Sequence, residues 1–157
     1  MNPRRRAILK TGSGATLLSL LGGAGLLAPG AAQAQTWNKA AFDTHNLAET
    51  MKALGGGDPV QSKDIVFFQT PDIAENGAVV PVGVSSNIPK TESIAILIEK
   101  NPNMLAATFD IPAGTDPSIS TRVKMGQSSN IVALVKADGK YYVASKEVKV
   151  TLGGCGG

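Results

Sequence analysis

The chain has 157 residues and a mass of 16.1 kDa, with 15 Lys and Arg against 12 Asp and Glu. Four of the basic residues and no acidic residue lie in the first 34 positions, so the remaining 123 residues hold 11 basic and 12 acidic groups. A body this close to neutral excludes nucleic-acid binding through a basic face. One Cys excludes an intramolecular disulfide, and one His with one Cys excludes the common zinc sites with four Cys or His ligands. A composition of 43% hydrophobic and 17% charged residues is typical of a folded globular protein.

Residues 1–34 have the pattern of an export signal. A basic start is followed by a mildly apolar run over 11–27 that contains five glycines, and then by the small-x-small sequence Ala32-Gln33-Ala34. We expect cleavage after Ala34. The alternative is a membrane anchor, which requires about 20 apolar residues. This run is shorter than that and is interrupted by glycine, so an anchor is disfavoured.

The basic start of the signal contains paired arginines, Arg5 and Arg6, followed by Lys10. This pattern resembles the twin-arginine signal of bacteria, which is recognised by an export receptor and does not anchor the protein in the membrane. A weakly apolar run beside basic residues suits that export route. The sequence therefore predicts twin-arginine export to the periplasm, an oxidising compartment, with no membrane attachment after cleavage.

The segment 35–57 is predicted to form one N-terminal α-helix. Apolar residues recur at three- and four-residue spacing from Trp37 to Leu54, the pattern of an amphipathic helix. Thr36 is a candidate N-cap, and three consecutive glycines at 55–57 end the helix. We expect its apolar face to lie against the rest of the fold.

From 58 to 152 the pattern changes to short runs of alternating hydrophobicity separated by turn residues. The alternation is clear in 118–125, with Ile119, Thr121, Val123 and Met125 on one side, and in another run Ile94, Ile96 and Ile98 share one face. Pro81, inside one of the runs, predicts an edge strand or a bulge. The predicted strands are 65–68, 79–85, 93–100, 104–110, 118–125, 131–137 and 141–151. This pattern predicts an all-β domain, an immunoglobulin-like antiparallel β-sandwich of about seven strands, with a small barrel as the alternative.

Familiar catalytic constellations are absent from the sequence. The single histidine, His45, falls within the predicted helix, and a catalytic triad or a metal site needs more partners than this chain offers. The glycines at 55–57 lack the lysine and the following helix of a phosphate-binding loop. We therefore expect no catalytic residue, no metal and no cofactor. His45 is interpreted as a surface or interface residue.

The reactive group of the chain is its only cysteine, Cys155, which lies in the segment 153–157. The four glycines around it are Gly153, Gly154, Gly156 and Gly157. Glycine gives a backbone wide conformational freedom and a small cross-section, so we predict a flexible arm thin enough to enter a channel. An unpaired, exposed thiol is a good nucleophile as thiolate and reacts readily in an oxidising compartment. The sequence therefore predicts that Cys155 is the functional residue.

Three segments of the chain support a family resemblance. They are VKVTLGGCGG at 148–157, PDIAENGAVVPV at 71–82 and EKNPN at 99–103. These segments resemble the SoxY family, the carrier subunits of the periplasmic thiosulfate-oxidising Sox system. The similarity extends over nearly all of the mature chain and agrees with the twin-arginine leader. It implies an immunoglobulin-like sandwich that pairs with a second sandwich subunit, SoxZ, and a covalent bond between Cys155 and the sulfur substrate.

The same resemblance implies a set of transient enzyme partners. A haem enzyme, SoxAX, conjugates thiosulfate oxidatively to Cys155, and a hydrolase, SoxB, releases the terminal sulfone as sulfate. Where it is present, a molybdenum–haem sulfane dehydrogenase oxidises the remaining sulfane sulfur. On this interpretation the chain is a non-catalytic carrier that is recycled after each round.

Two other functions stay open. One is an immunoglobulin-like interaction module that dimerises through a disulfide between two copies of Cys155. The other is a cytoplasmic, ubiquitin-like sulfur carrier, because Gly156-Gly157 ends the sequence. Such carriers are activated at the terminal carboxylate, and both the export signal and the neighbouring cysteine argue against that function.

Overall fold

A computed structural model describes residues 38–151, so the predicted signal at 1–34 and the predicted arm at 153–157 lie outside the described residues. This part of the chain forms two short helices followed by nine strands, and neither helix has the length and hydropathy to cross a membrane. The helices are α1 (Lys39–Phe42) and α2 (Leu47–Ala53). The strands are β1 (Val60–Gln61), β2 (Ile65–Phe68), β3 (Ile73–Ala74), β4 (Val80–Ser86), β5 (Thr91–Ile98), β6 (Leu105–Asp110), β7 (Ser118–Val123), β8 (Ser129–Ala137) and β9 (Lys140–Val150).

The strands form two sheets. The larger sheet has the order β1-β9-β8-β5-β6, with β3 also pairing with β9, and the smaller sheet has the order β2-β4-β7. The pairs are antiparallel except those of β1 and β3 with β9, which are parallel. Two separate sheets confirm the predicted all-β, immunoglobulin-like sandwich rather than a small barrel.

The main core lies between the two sheets and follows the two-residue period of the strands. Ile94, Ile96 and Ile98 of β5 are fully buried on one face, as their spacing predicted. The facing residues from the smaller sheet in the same cluster are Val80, Val82 and Val84. Burial of one such aliphatic side chain contributes roughly 1.5–3 kcal/mol, so this layer holds the sandwich together.

The helices cover the opposite face of the larger sheet. Ala41 of α1 and Met51 of α2 belong to a second buried cluster with Leu97, Leu134 and Val143. The central strands β5 and β8 are therefore buried on both faces, which explains why each contains five consecutive apolar residues, 94–98 and 131–135, rather than an alternating pattern.

The segment predicted as one continuous helix forms two helices, so that prediction is wrong. Asn38, rather than Thr36, caps α1, and its side chain accepts a hydrogen bond from the backbone N–H of Ala41 at 3.2 Å. Asn46 caps α2 in the same way, accepting from the N–H of Glu49 at 2.9 Å. Asparagine is among the preferred N-cap residues because its side chain satisfies a free N–H at the start of a helix. The apolar spacing continues across the break, so the sequence pattern resembles a single helix.

The seven predicted strands are present, and β1 and β3 are additional. Each of these two strands has only two residues, too few for an alternating pattern. The expectation that Pro81 marks an edge strand is wrong, because β4 is the central strand of its sheet. Pro81 pairs with Arg122 of β7, while β2 extends only to Gly83. A residue without an N–H is tolerated because no described strand lies on the other side of Pro81.

Candidate functional site at the base of the C-terminal arm

The structure describes the strand that leads to the predicted functional residue. β9 is the longest described strand, with 11 residues, and Thr151 follows it directly. We call residues 149–151, together with the groups that bond to them, the arm base. The predicted functional residues that lie outside the described residues are Cys155, Gly153, Gly154, Gly156 and Gly157 and, in the export signal, Arg5, Arg6 and Lys10.

The two-residue strand β3 holds the outer side of the arm base by pairing in parallel with residues 149–150. The backbone N–H of Lys149 donates to the carbonyl of Asp72 at 2.9 Å. The N–H of Thr151 donates to the carbonyl of Ala74 at 3.0 Å, one residue beyond the end of β9. The backbone is therefore hydrogen-bonded on this side as far as Thr151.

A serine hydroxyl holds the inner side of the arm base. The last pair between β8 and β9 joins Ser129 to Val148. Beyond that pair, the N–H of Val150 donates to the Oγ of Ser128 at 2.9 Å, and this Oγ lies 3.4 Å from the carbonyl oxygen of Val150. The side chain of Ser128 thus continues the hydrogen bonding where the β8 ladder ends, and the backbone of residues 149–151 is hydrogen-bonded on both sides.

A glycine lets the chain pass close to the arm base. A Cβ atom at Gly77 would lie 2.5 Å from the carbonyl oxygen of Met125 and 2.8 Å from Cγ1 of Val150. The N–H of Met125 donates to the carbonyl of Gly77 at 2.7 Å. The absence of a side chain therefore allows the loop after β7 to pack directly against the segment that follows β3.

An asparagine fixes the loop after β7. The Nδ2 of Asn101 donates to the carbonyl of Lys124 at 2.7 Å, and its Oδ1 accepts from the N–H of Gly126 at 3.2 Å. These two bonds lie on either side of Met125, which is buried in the main core. The loop that contacts Gly77 is thereby tied both to the core and to the turn between β5 and β6.

The three segments that carry the family resemblance meet at this end of the sandwich. The segment 71–82 supplies β3 and Gly77, the segment 99–103 supplies Asn101, and 148–151 is the end of β9. Sequence reasoning missed Ser128 and Asn101, because their roles depend on contacts between distant parts of the chain. The Asn-Gly pair at 76–77 was recognised in the sequence, but it predicted only a tight turn. It did not indicate that Gly77 packs closely against Met125 and Val150.

The surface around the arm base has exposed apolar groups beside a paired charge. Ile73 is 58% exposed and Val79 is 50% exposed, two of the four most exposed large apolar side chains in the described part of the chain. Next to Ile73, the Nζ of Lys146 donates to the carbonyl of Thr70 at 2.5 Å and lies 3.0 Å from the Asp72 carboxylate. Exposed apolar groups of this kind mark a candidate contact surface.

Two other candidate features, an ion pair and a groove, lie at the opposite end of β9 from the arm base. A hydrogen bond from Lys136 lowers the pKa of the Glu92 carboxyl and raises the pKa of the Lys136 amine, at the end where β9 begins. A surface groove of about 650 Å³ lies at that same end, between the β4–β5 and β6–β7 loops. His45 is exposed, as predicted, with its Nδ1 2.6 Å from the carbonyl of Pro102. Within residues 38–151, no group of three His, Cys, Asp or Glu side chains is placed to hold a metal.

The fold and the arm base define an immunoglobulin-like sandwich whose last strand is fixed up to the start of a cysteine-bearing segment. The family model of the sulfur oxidation protein SoxY matches residues 50–155. The solved structure of the sulfur carrier protein SoxY from Chlorobium limicola f thiosulfatophilum is 39% identical, with a TM-score of 0.60. The match covers 67% of this chain and 96% of that chain. The chain belongs to the SoxY family, which confirms the predicted family and its role in sulfur oxidation.

Other solved structures match the chain much more weakly. Two variants of a superoxide reductase (neelaredoxin) from Ignicoccus hospitalis are 18% and 17% identical, with TM-scores of 0.48 and 0.49. These matches cover 55% and 69% of this chain and 79% and 91% of the reductase chains. No curated protein sequence matches the chain.

We predict that Gly77→Ala loosens the arm base, because the added Cβ must displace backbone atoms of the loop after β7. Gly126→Ala is a matched control, since a Cβ there meets nothing within 4 Å. Gly77→Ala should lower the free energy of unfolding by about 1–3 kcal/mol and speed amide exchange at Val150 and Thr151. Urea unfolding and hydrogen exchange measure both effects. Equal behaviour of the two variants would show that the close approach at Gly77 is unimportant.

Proposed function

We propose that the chain is a covalent sulfur carrier for periplasmic thiosulfate oxidation, with Cys155 as the attachment residue. Membership of the SoxY family supports the carrier role. The observation that carries the proposal is the arm base, where the backbone of residues 149–151 is hydrogen-bonded on both sides. Cys155 lies four positions after Thr151 in the sequence, and an extended chain of four residues spans at most about 14 Å. The thiol therefore sweeps a limited volume around a fixed origin.

Loading of the carrier is an oxidation that needs an external oxidant. The Cys155 thiol loses its proton to solvent, and its sulfur forms a bond with the outer sulfur of thiosulfate. Two electrons leave in this step, and the family resemblance assigns them to the haem enzyme SoxAX. The product is an S-thiosulfonate on Cys155.

Unloading begins with a hydrolysis. Water cleaves the bond between the sulfane sulfur and the sulfonate group, which releases sulfate and leaves a cysteine persulfide. The family resemblance assigns this step to the hydrolase SoxB and, where it is present, assigns oxidation of the remaining sulfur to a sulfane dehydrogenase. The chain contributes the attachment atom and its positioning, and needs no cofactor of its own.

A covalent tether suits a pathway of several enzymes. It converts each encounter between an enzyme and a small diffusible intermediate into insertion of one attached arm. Each enzyme must then release the carrier quickly, so its contact with the carrier should be small and transient. We propose that Ile73 and Val79 form part of that contact, because both are exposed and both lie in the segment 73–79, which pairs with and packs against residues 149–150.

Cys155→Ser should abolish thiosulfate-dependent sulfate formation in cells that lack their own copy of the carrier, because the hydroxyl cannot form the sulfur–sulfur bond. Deletion of Gly156-Gly157 distinguishes two kinds of sulfur carrier. A carrier that is activated at its terminal carboxylate would be inactive, whereas a carrier that binds sulfur at Cys155 would retain part of its loading. Wild-type sulfate formation by Cys155→Ser, with loss only of a disulfide-linked dimer, would favour the interaction module instead.

Ile73→Ser should slow loading and hydrolysis, because it removes apolar contact at the arm base without altering the core. Truncation of such an interface side chain typically costs about 1 kcal/mol, which corresponds to an approximately fivefold rise in the KM of each enzyme for the carrier. Val60→Ser is a matched control. Val60 is 59% exposed on β1, which is also a two-residue strand parallel to β9 but pairs with its other end. A similar effect of both variants on KM would contradict docking at the arm base.

Replacement of Arg5 and Arg6 by lysine should retain the chain in the cytoplasm, because the paired arginines are the signal that the twin-arginine route requires. If SoxZ lacks a leader and crosses already bound to the chain, it should be retained as well. Fractionation of cells that express both subunits measures this. Export of the doubly substituted chain at the wild-type level would contradict twin-arginine export, and SoxZ outside the cell without the chain would contradict joint export.

A further inference from the structure

The outer edge of β7 presents backbone groups that no described strand covers. The N–H of Ser86 donates to the carbonyl of Pro117 at 2.9 Å, in register with the β4–β7 ladder. In an antiparallel ladder, the N–H and C=O of every second residue face the same neighbour. Residues 119, 121 and 123 therefore face β4 with their backbone groups. The backbone groups of Ser118, Ser120 and Arg122 face away from it.

Most of these outward groups have no partner among residues 38–151. The N–H of Ser118 donates to the carbonyl of Asp116 at 2.8 Å. The N–H and C=O of Ser120 and Arg122 take part in none of the hydrogen bonds of the described residues. Alternate residues of a strand are about 7 Å apart, which is the repeat that a second strand requires for pairing.

The other sheet edges carry features that discourage pairing. β1 and β3 cover parts of the β9 edge, and β2 has only four residues. On β6, Ile96 pairs with Ala107 but Leu97 pairs with Leu105, so Ala106 is left as a bulge. Short edge strands and bulges are known protections against strand addition. β7 has six residues in unbroken register with β4 and contains neither proline nor bulge.

The outward face of the smaller sheet, next to this edge, is nearly free of charge. The residues of this face on β2 and β4 are Val66, Phe68, Pro81, Gly83 and Ser85. Arg122 of β7 is the single charged side chain on the outward face of these three strands, and it forms no ion pair within the described residues. Protein interfaces are depleted in Lys, Glu and Asp and enriched in aromatic residues and Arg.

We propose that the outer edge of β7 binds an extended strand of a second protein chain, paired through the backbone and bearing an acidic side chain opposite Arg122. Strand addition to an open edge gains main-chain hydrogen bonds, and opposite charges across a strand pair are stabilising. A second copy of β7 is a poorer occupant, because its sequence SISTRV offers no acid for Arg122. This inference does not depend on the role proposed for Cys155.

Proline at position 120 tests the backbone pairing. Ser120→Pro removes an outward N–H while keeping the hydrogen bonds of β7 to β4, and the sheet already tolerates Pro81 in an equivalent orientation. Thr108→Pro is the matched control on the protected β6 edge, because the N–H of Ile111 donates to the carbonyl of Glu92 and so Thr108 faces outward. Arg122→Glu changes the charge without altering the backbone, so it tests the proposal even if a proline variant misfolds.

The probe is an end-blocked peptide, Thr-Val-Thr-Glu-Thr-Val-Thr, titrated into the isotope-labelled full chain and followed by NMR. We expect shifts and exchange protection at the amides of Ser120 and Arg122. A peptide with Lys in place of Glu should bind about two- to fivefold more weakly, and Arg122→Glu should reverse that preference. Ser120→Pro should weaken binding up to about tenfold, and Thr108→Pro should not.

Three results would overturn the proposal. The first is the absence of peptide-induced change at Ser120 and Arg122. The second is equal binding by the wild-type chain and Ser120→Pro. The third is a dimer in the peptide-free protein that already protects these amides and that Ser120→Pro dissociates. In that case the occupant of the edge is a second copy of the chain, and an acidic partner strand is the wrong assignment.

Discussion

The hydrogen bonds between residues 149–151 and residues 72–74 fix the backbone at the end of β9 as far as Thr151, the last described residue. Without them, β9 would lose its outer partner beyond Val148, and the last residues would have only Ser128 to hold them. A carrier arm needs both a stationary origin and a mobile end, because an arm that frays at its base spreads its reactive atom over a larger volume. The arm base has the fixed backbone that the proposed carrier function requires.

The rest of the fold supports that origin from two sides. β9 contributes Val148 to the core between the sheets and Val143 to the cluster beneath the helices. The strand is thus packed on both faces before it reaches the arm base. The loop after β7 adds a third support, since Met125 is buried in the main core while its backbone bonds to Gly77. Contacts that stabilise the sandwich therefore also hold the end of β9 in place.

Much of the fold followed from local patterns, whereas the contacts of the site did not. The two-residue period of Ile94, Ile96 and Ile98 predicted a core strand, because side-chain direction alternates along the backbone regardless of what lies opposite. The break between α1 and α2 was missed because the apolar residues keep their helical spacing across it, and this spacing does not show that Asn46 starts a new helix. Ser128 and Asn101 could not be assigned, since their partners are more than 20 residues away in sequence. Cys155 was singled out by residue chemistry alone, which needs no knowledge of the fold.

We propose that Cys155 bears the sulfur substrate covalently. Intact mass spectrometry of the chain from cells oxidising thiosulfate, before and after addition of a reductant, would detect the attached sulfur. We expect reductant-labile additions on Cys155 of about 112 Da for an S-thiosulfonate or about 32 Da for each sulfane sulfur atom. Only free thiol, or only a disulfide between two copies of Cys155, during active thiosulfate turnover would contradict it.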